Sequence, residues 1–234
     1  AFQISGIGHE AAHVGAAFAI RRGYDWVTPY YRDLAFMLCL GLTPYEYMLS
    51  LMGKAGEPSS GGRQMPSHFG LKRANAVSHS APVATQATHA AGIGLAMKMR
   101  KEDKIVITTI GEGSTSQGEW YEAVNWAAIH KLQVIFLVQN NQYAISVPPE
   151  LQMAVNNSAD KACGLGLPGY TVDGTDVFAV YDLISKTVED ARNQKGPSLI
   201  EARMYRITPH SSDDDDRTYR SREEVDENKK KDPL

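Results

Sequence analysis

A carboxylate between two glycines, Glu112 in Gly111-Glu112-Gly113-Ser114, and a downstream amide pair, Asn140-Asn141, are the residues whose types and spacing most directly suggest chemistry. Glycines let a backbone approach a ligand closely. The stretch is not the dinucleotide fingerprint, because Ser116 stands where a third glycine belongs and Glu112 would repel a bare phosphate. A cation between the two resolves that conflict. Mg²⁺ prefers oxygen ligands, takes one or two from protein, and completes its octahedron with phosphate oxygens and water. Glu112 can supply one such oxygen and Asn141 a second, so that both would face one diphosphate. Two plainer readings stay open at this point. Glu112 could be an acid favoured by a helix start and Asn140-Asn141 a polar turn. A Mg-nucleotide binding module would use the same two residues, although no Gly-rich phosphate loop with a Lys is present.

The elements that must position these residues are legible from periodicity. Ile105-Val106-Ile107-Thr108-Thr109-Ile110 reads as a strand, residues 117–130 as a helix, and Val134-Ile135-Phe136-Leu137-Val138 as the next strand. This βαβ passage places Glu112 and Asn141 at the same sheet edge, the carboxyl end where open α/β sheets bind ligands. A short strand at Tyr170-Thr171-Val172, a helix over 176–194 ended by Gly196-Pro197, and a strand over 198–205 follow. The class is α/β with a mainly parallel sheet. Upstream, residues 34–40 read as one helix. Thr43-Pro44-Tyr45-Glu46 combines a capping box with Pro at the first helical position and starts another, running to about Met52. A helix over 85–101 follows Pro82. Residues 53–80 and 207–220 form two long, functional loops, the second carrying Asp213-Asp214-Asp215-Asp216 before a last helix capped at Ser221.

Composition narrows the class. The 234 residues, 43% hydrophobic, suffice for one compact domain over 1–234. The 24 basic and 27 acidic residues leave a net charge of -3 with no basic stripe, which argues against a nucleic-acid partner. Cys39 and Cys163 lie far apart, so a disulfide framework or zinc site is not expected and a reducing compartment fits. The longest apolar run, residues 34–42, falls short of the ~20 residues that cross a bilayer. Both ends look cut, and segments beyond each are expected.

From about Glu10 onward the chain resembles the alpha subunits of thiamine-diphosphate-dependent branched-chain 2-oxoacid dehydrogenases, the decarboxylating components, in their bacterial form. The resemblance rests on Pro29-Tyr30-Tyr31-Arg32-Asp33, Gly61-Gly62-Arg63-Gln64-Met65-Pro66, Ala84-Thr85-Gln86, the stretches 111–118 and 139–147, and Tyr205-Arg206-Ile207-Thr208-Pro209-His210-Ser211-Ser212. It implies the thiamine-diphosphate-binding fold, with helices on both faces of the sheet. It implies Mg²⁺ on Glu112, the Asn141 side chain and the main-chain oxygen of Tyr143. Around the cofactor it places Tyr31, Arg32, Ala81, Val83, Gly111, Glu112, Gly113, Ser114, Asn141, Ile145 and His210. His210 and Arg206 take catalytic roles, His210 as a proton donor in acyl transfer, and His68 lines the substrate channel. His9, His13, His79, His89 and His130 are expected to be structural.

The same resemblance implies oxidative decarboxylation of branched-chain 2-oxoacids, with reductive acyl transfer to the lipoyl group of an acyltransferase component. Pyruvate and acetoin are the alternative substrates, since the cofactor motif does not read the substrate side chain. A beta subunit would supply the activating glutamate that this chain lacks, in a tetramer of two alpha and two beta chains. Ala87, Ala90, Ala91 and Gly94 could serve that interface or packing within the chain. Four departures or additions matter. Ala81 stands where relatives usually carry Ser near the cofactor. Gln139 replaces a basic residue found in some relatives. Ser80, Pro82, Thr85 and Gln86 match a K⁺ site of animal relatives, left open by Ala81. Ser211 matches a phosphorylated residue of mitochondrial relatives, the alternative being an unmodified loop serine. The cytoplasm is implied for a bacterial chain, the mitochondrial matrix for a eukaryotic one.

Overall fold

Five short segments build one parallel sheet in this computed structural model, which describes residues 3–234. The strands are β1 (Trp26–Thr28), β2 (Val106–Gly111), β3 (Val134–Asn140), β4 (Gly169–Asp173) and β5 (Ser198–Arg203), in the spatial order β1-β2-β3-β5-β4. The helices are α1 (Glu10–Phe18), α2 (Leu34–Cys39), α3 (Pro44–Leu51), α4 (Thr85–Arg100), α5 (Gly118–Ile129), α6 (Pro149–Gln152), α7 (Lys161–Leu165), α8 (Val177–Arg192) and α9 (Arg222–Lys229).

Side chains alternate across a strand, so each strand feeds two cores. Ile107, Ile135, Leu137 and Ile200 join α1, α2 and α8 on one face. Val106, Val134, Phe136, Val138 and Leu199 join α4, α5 and α7 on the other. Every residue of β3 is buried, as a parallel strand covered on both faces must be. The expected α/β class, parallel sheet and two helical layers are borne out.

Local chemistry accounts for the element starts. The Thr43 hydroxyl accepts the Glu46 N–H at 3.2 Å and the Glu46 carboxylate accepts the Thr43 N–H at 2.9 Å, completing the capping box ahead of Pro44. The side chains of Asp176 and Ser221 accept first-turn N–H groups and so cap α8 and α9, without the reciprocal bond.

One strand boundary needs correction, and two details of α4 are decided by the structure. The strand over 198–205 ends at Arg203, because Met204 and Arg206 donate instead to the main-chain oxygens of Asn140 and Asn141 as the chain leaves the sheet. Thr85 is the first residue of α4, next to the cap. The cap is Ala84, in a left-handed conformation at φ 74°, and the Thr85 hydroxyl donates to Glu119 at 2.8 Å. Ala87, Ala90, Ala91 and Gly94 are buried by this chain itself, and a Cβ at Gly94 would lie 2.8 Å from Cγ2 of Val134. Their smallness serves packing of α4 on the sheet. Four elements were not read from sequence: α1, whose small residues carry little amphipathic contrast, and β1, α6 and α7, which are too short to show a period.

Candidate active site

The register of the sheet places the acid and the amide together. Gly111 pairs with Gln139 across β2 and β3, so Glu112 and Asn141 leave adjacent strands at the same carboxyl edge. Asn140 pairs with Arg203, which delivers the chain from 204 onward to that edge as well. A cavity of about 260 Å³ opens there. Its walls include Gly111, Glu112, Gly113 and Ser114 from the end of β2, and Asn141, Tyr143 and Ile145 from the end of β3. Tyr31, Arg32, Val83 and His210 close it from three other segments. Gly113 is required sterically, because a Cβ there would stand 2.5 Å from Cβ of Ala144. Ile145 adopts φ 57°, unusual for a β-branched residue, and its main-chain oxygen is held by Arg206 at 2.7 Å.

The charges in this cavity are incomplete without a ligand. Glu112 is 2% exposed; its Oε2 accepts the Asn141 N–H at 3.2 Å, and its Oε1 has no partner among the described residues. Burial raises its pKa, only partly countered by backbone hydrogen bonds and by Arg206 and Arg32. Asn141 Oδ1 accepts the Tyr143 N–H at 3.3 Å and keeps a second lone pair. The Tyr143 main-chain oxygen accepts from Arg206 at 3.1 Å and likewise keeps one. Arg32, also 2% exposed, donates to the Ser5 main-chain oxygen at 2.6 Å, has no carboxylate partner among the described residues, and has an unsatisfied Nε. An orphaned carboxylate oxygen beside two oxygens with spare lone pairs fits a hard cation. An unpaired buried guanidinium fits an anion.

His210 enters from the loop over 207–220. Its main-chain N–H donates to Asp214 at 2.7 Å, and its ring meets Tyr31 edge-on at 6.0 Å. Arg32 lies 3.4 Å from Nδ1; a guanidinium only donates, so Nδ1 accepts and Nε2 carries the proton. Burial, then Arg32 and Arg206, push the imidazole pKa down to about 4 against a smaller opposing effect of Asp214. The proton that His210 can offer is therefore that of a neutral ring.

Other expected residues fall elsewhere. Arg206 does not line the cavity. It lies beneath, donating to Tyr143, Ile145 and the Tyr219 hydroxyl, and so ties the β3 end to the His210 loop as a positioning residue. Ala81 is exposed on the turn before Val83 and contributes no wall. His68 is buried against His79, which meets Tyr31, so it stands behind the cavity. Of the four residues matched to a K⁺ site, Gln86 has a buried Oε1 without a partner, but Ser80 and Pro82 share no hydrogen bond with it or with Thr85. Gln139 does not approach the cavity; it accepts from His13 at 3.0 Å and Tyr30 at 3.3 Å and donates to Asp33 at 2.8 Å. Tyr30 and Ala144, not anticipated, line the wall. His9, expected to be only structural, touches Asn141. The spacing of His9 and His13, one helical turn apart, was the available signal.

The family model for the dehydrogenase E1 component matches residues 1–234. The chain is 54% identical over 233 residues to the 2-oxoisovalerate dehydrogenase subunit alpha of Bacillus subtilis, covering all of this chain and 71% of that one. Identity is 40% to the 3-methyl-2-oxobutanoate dehydrogenase subunit alpha of Mycobacterium tuberculosis, over 97% of this chain and 59% of that one. It is 39% to the pyruvate dehydrogenase E1 component subunit alpha of Bacillus subtilis, over 97% and 58%. The chain thus spans between 58% and 71% of these relatives. An X-ray structure of a Mycobacterium smegmatis enzyme assigned as thiamin diphosphate-dependent shares the fold, with a TM-score of 0.55 at 19% identity over 86% of this chain and 32% of that one. With the family model matched from end to end, the chain belongs to the dehydrogenase E1 component family.

Proposed function

We propose that this chain is a diphosphate- and Mg²⁺-binding domain from the alpha subunit of a branched-chain 2-oxoacid dehydrogenase, acting with thiamine diphosphate. The observation that carries the reading is the pairing, in one cavity, of a buried carboxylate oxygen without a partner on Glu112 and a buried guanidinium without an acid on Arg32. Glu112, Asn141 and the Tyr143 oxygen would hold Mg²⁺. Arg32, Tyr31 and Ser114 would receive the diphosphate, and Val83 and Ile145 would support the rest of the cofactor. Thiamine diphosphate, when bound, supplies the electron sink that amino-acid side chains lack. The chain's own residues bind, orient and exclude water. His210 lines the cavity with its Nε2 proton free of the Arg32 contact at Nδ1, and the neutral ring keeps donating a hydrogen bond across the physiological range. Among the described residues lining the cavity, Glu112 is the sole carboxylate and the metal claims it. A further acid must then come from elsewhere, which supports a site completed by a beta subunit, with a lipoyl domain as acyl acceptor.

The branched-chain assignment is supported by the higher identity to the 2-oxoisovalerate relative, 54% against 39% for the pyruvate relative of the same organism. The test is to mix the full-length subunit with its beta partner, thiamine diphosphate and Mg²⁺ and to follow carbon dioxide release. We expect 3-methyl-2-oxobutanoate to react faster than pyruvate. Equal or reversed rates would remove the substrate assignment.

A further inference from the structure

The amide of Asn141 can offer a cation only its oxygen, so the direction in which that amide is turned decides whether the site can form. Two neighbours set it. The Tyr143 N–H lies 3.3 Å from Oδ1, and a backbone N–H only donates, so oxygen must face it. The other end, Nδ2, lies 3.1 Å from Nε2 of His9. An amide NH₂ also only donates, so Nε2 must accept and the ring proton must sit on Nδ1. There the Ile7 main-chain oxygen receives it at 3.3 Å. The ring is fully buried, so these two contacts are the ones that fix its tautomer.

The fold seats this imidazole deliberately. His9 occupies the position just ahead of α1, its side chain making no cap bond, and His13, one turn on, reaches Gln139 at 3.0 Å. Four residues of helix rise about 6 Å and two residues of strand about 6.6 Å, so the pair on α1 matches Gln139 and Asn141 on the edge of β3. Gly8, at φ 88°, lets the chain pass so close to Tyr205 that a Cβ would stand 2.6 Å from its main-chain oxygen. That passage delivers His9 to the amide.

We propose that His9 is a positioning residue for the metal: an Nδ1-protonated imidazole that accepts from Asn141 Nδ2 and so keeps the amide oxygen turned to the cation. The role rests on the Mg²⁺ reading above, and partners of metal ligands of this kind are worth about 10–100-fold in affinity.

The test titrates Mg²⁺ calorimetrically into the full-length subunit with its beta partner at saturating thiamine diphosphate, with circular dichroism as the control for folding. His9→Leu is expected to weaken Mg²⁺ by about 10–100-fold. His9→Gln, whose side-chain oxygen can accept from Nδ2, is expected to restore wild-type affinity. In an Asn141→Asp background, where either oxygen can face the cation, His9→Leu should cost nothing further. A merely structural histidine would give neither the rescue nor the loss of effect with Asp. His9→Met, unbranched and a poor acceptor, replaces the leucine variant if that one does not fold. Wild-type affinity in the folded Leu or Met variant overturns the role, as does a Gln variant as weak as either. Absence of Mg²⁺ binding in the wild type would instead sink the metal site itself.

Discussion

Glu112 and Asn141 meet through one hydrogen bond, from the Asn141 main-chain N–H to Oε2 at 3.2 Å, which leaves Oε1 of the same buried carboxylate without a partner. A buried charge left unpaired costs several kcal/mol, which a bound cation would offset. Glu112→Gln keeps the shape and removes the charge. We expect it to weaken Mg²⁺-dependent cofactor binding by about 100-fold or more, and to raise the stability of the cofactor-free chain by about 1–2 kcal/mol. Isothermal calorimetry and denaturant titration measure the two effects, and their opposite signs distinguish a ligand site from a structural acid.

Gly113 offers a steric test. Its missing Cβ would overlap Cβ of Ala144 at 2.5 Å, so Gly113→Ala forces the β2 end and the β3 turn apart. The expected loss is about 1–3 kcal/mol of stability, with weaker cofactor binding. The double variant with Ala144→Gly removes the clash and should recover most of both in thermal unfolding and calorimetry.

Arg206 holds two main-chain oxygens and a phenol with one planar fork, at 3.1, 2.7 and 2.7 Å. Lysine carries the charge without the fork. Arg206→Lys should therefore leave at least one of the Tyr143 and Ile145 oxygens unsatisfied, costing about 1–3 kcal/mol. Cofactor affinity should fall with it, although Arg206 lines no part of the cavity. Unchanged affinity in a stably folded variant would limit Arg206 to the core.

Asp214 accepts both the His210 main-chain N–H and the Tyr219 hydroxyl, and so pins the loop to the Arg206 fork. Asp214→Ala should speed hydrogen exchange over residues 207–220 and slow acyl transfer, while Mg²⁺ affinity at Glu112 changes little. Exchange mass spectrometry beside a lipoyl-domain acylation assay reads both.

His79 gives the pH dependence. Its Nδ1–H donates to the Pro29 main-chain oxygen at 2.9 Å, its ring lies against that of His68, and burial drives its pKa down from 6.5 to about 4, ahead of the effect of His68. Because the folded value is depressed, the unfolded chain takes up the proton first as pH falls. Stability is therefore full above about 6.5 and declines as pH falls toward about 4. The contribution is of the order of 3 kcal/mol for a shift of this size. His79→Gln should flatten that part of the stability curve in thermal scans between these limits; an unchanged slope would assign the acid sensitivity to other groups.

Much of this site could be read along the chain. Strand runs are continuous and apolar because both faces of a parallel sheet are covered, so β2, β3 and the helix between them were evident, and with them the shared edge of Glu112 and Asn141. The capping box at Thr43 and the cap at Ser221 were evident too, because each closes within four residues. Contacts between distant segments were not. That Arg206 supports the cavity from beneath, that Ala81 turns outward, that α4 spends its small residues on the sheet, and that His9 meets Asn141 across 132 positions all depend on which faces packing brings together. Periodicity records which side of an element is buried, and says nothing of the partner it is buried against. The orphaned oxygen of Glu112, the most direct sign of a missing ligand, exists only once the surrounding atoms are in place to leave it unpaired.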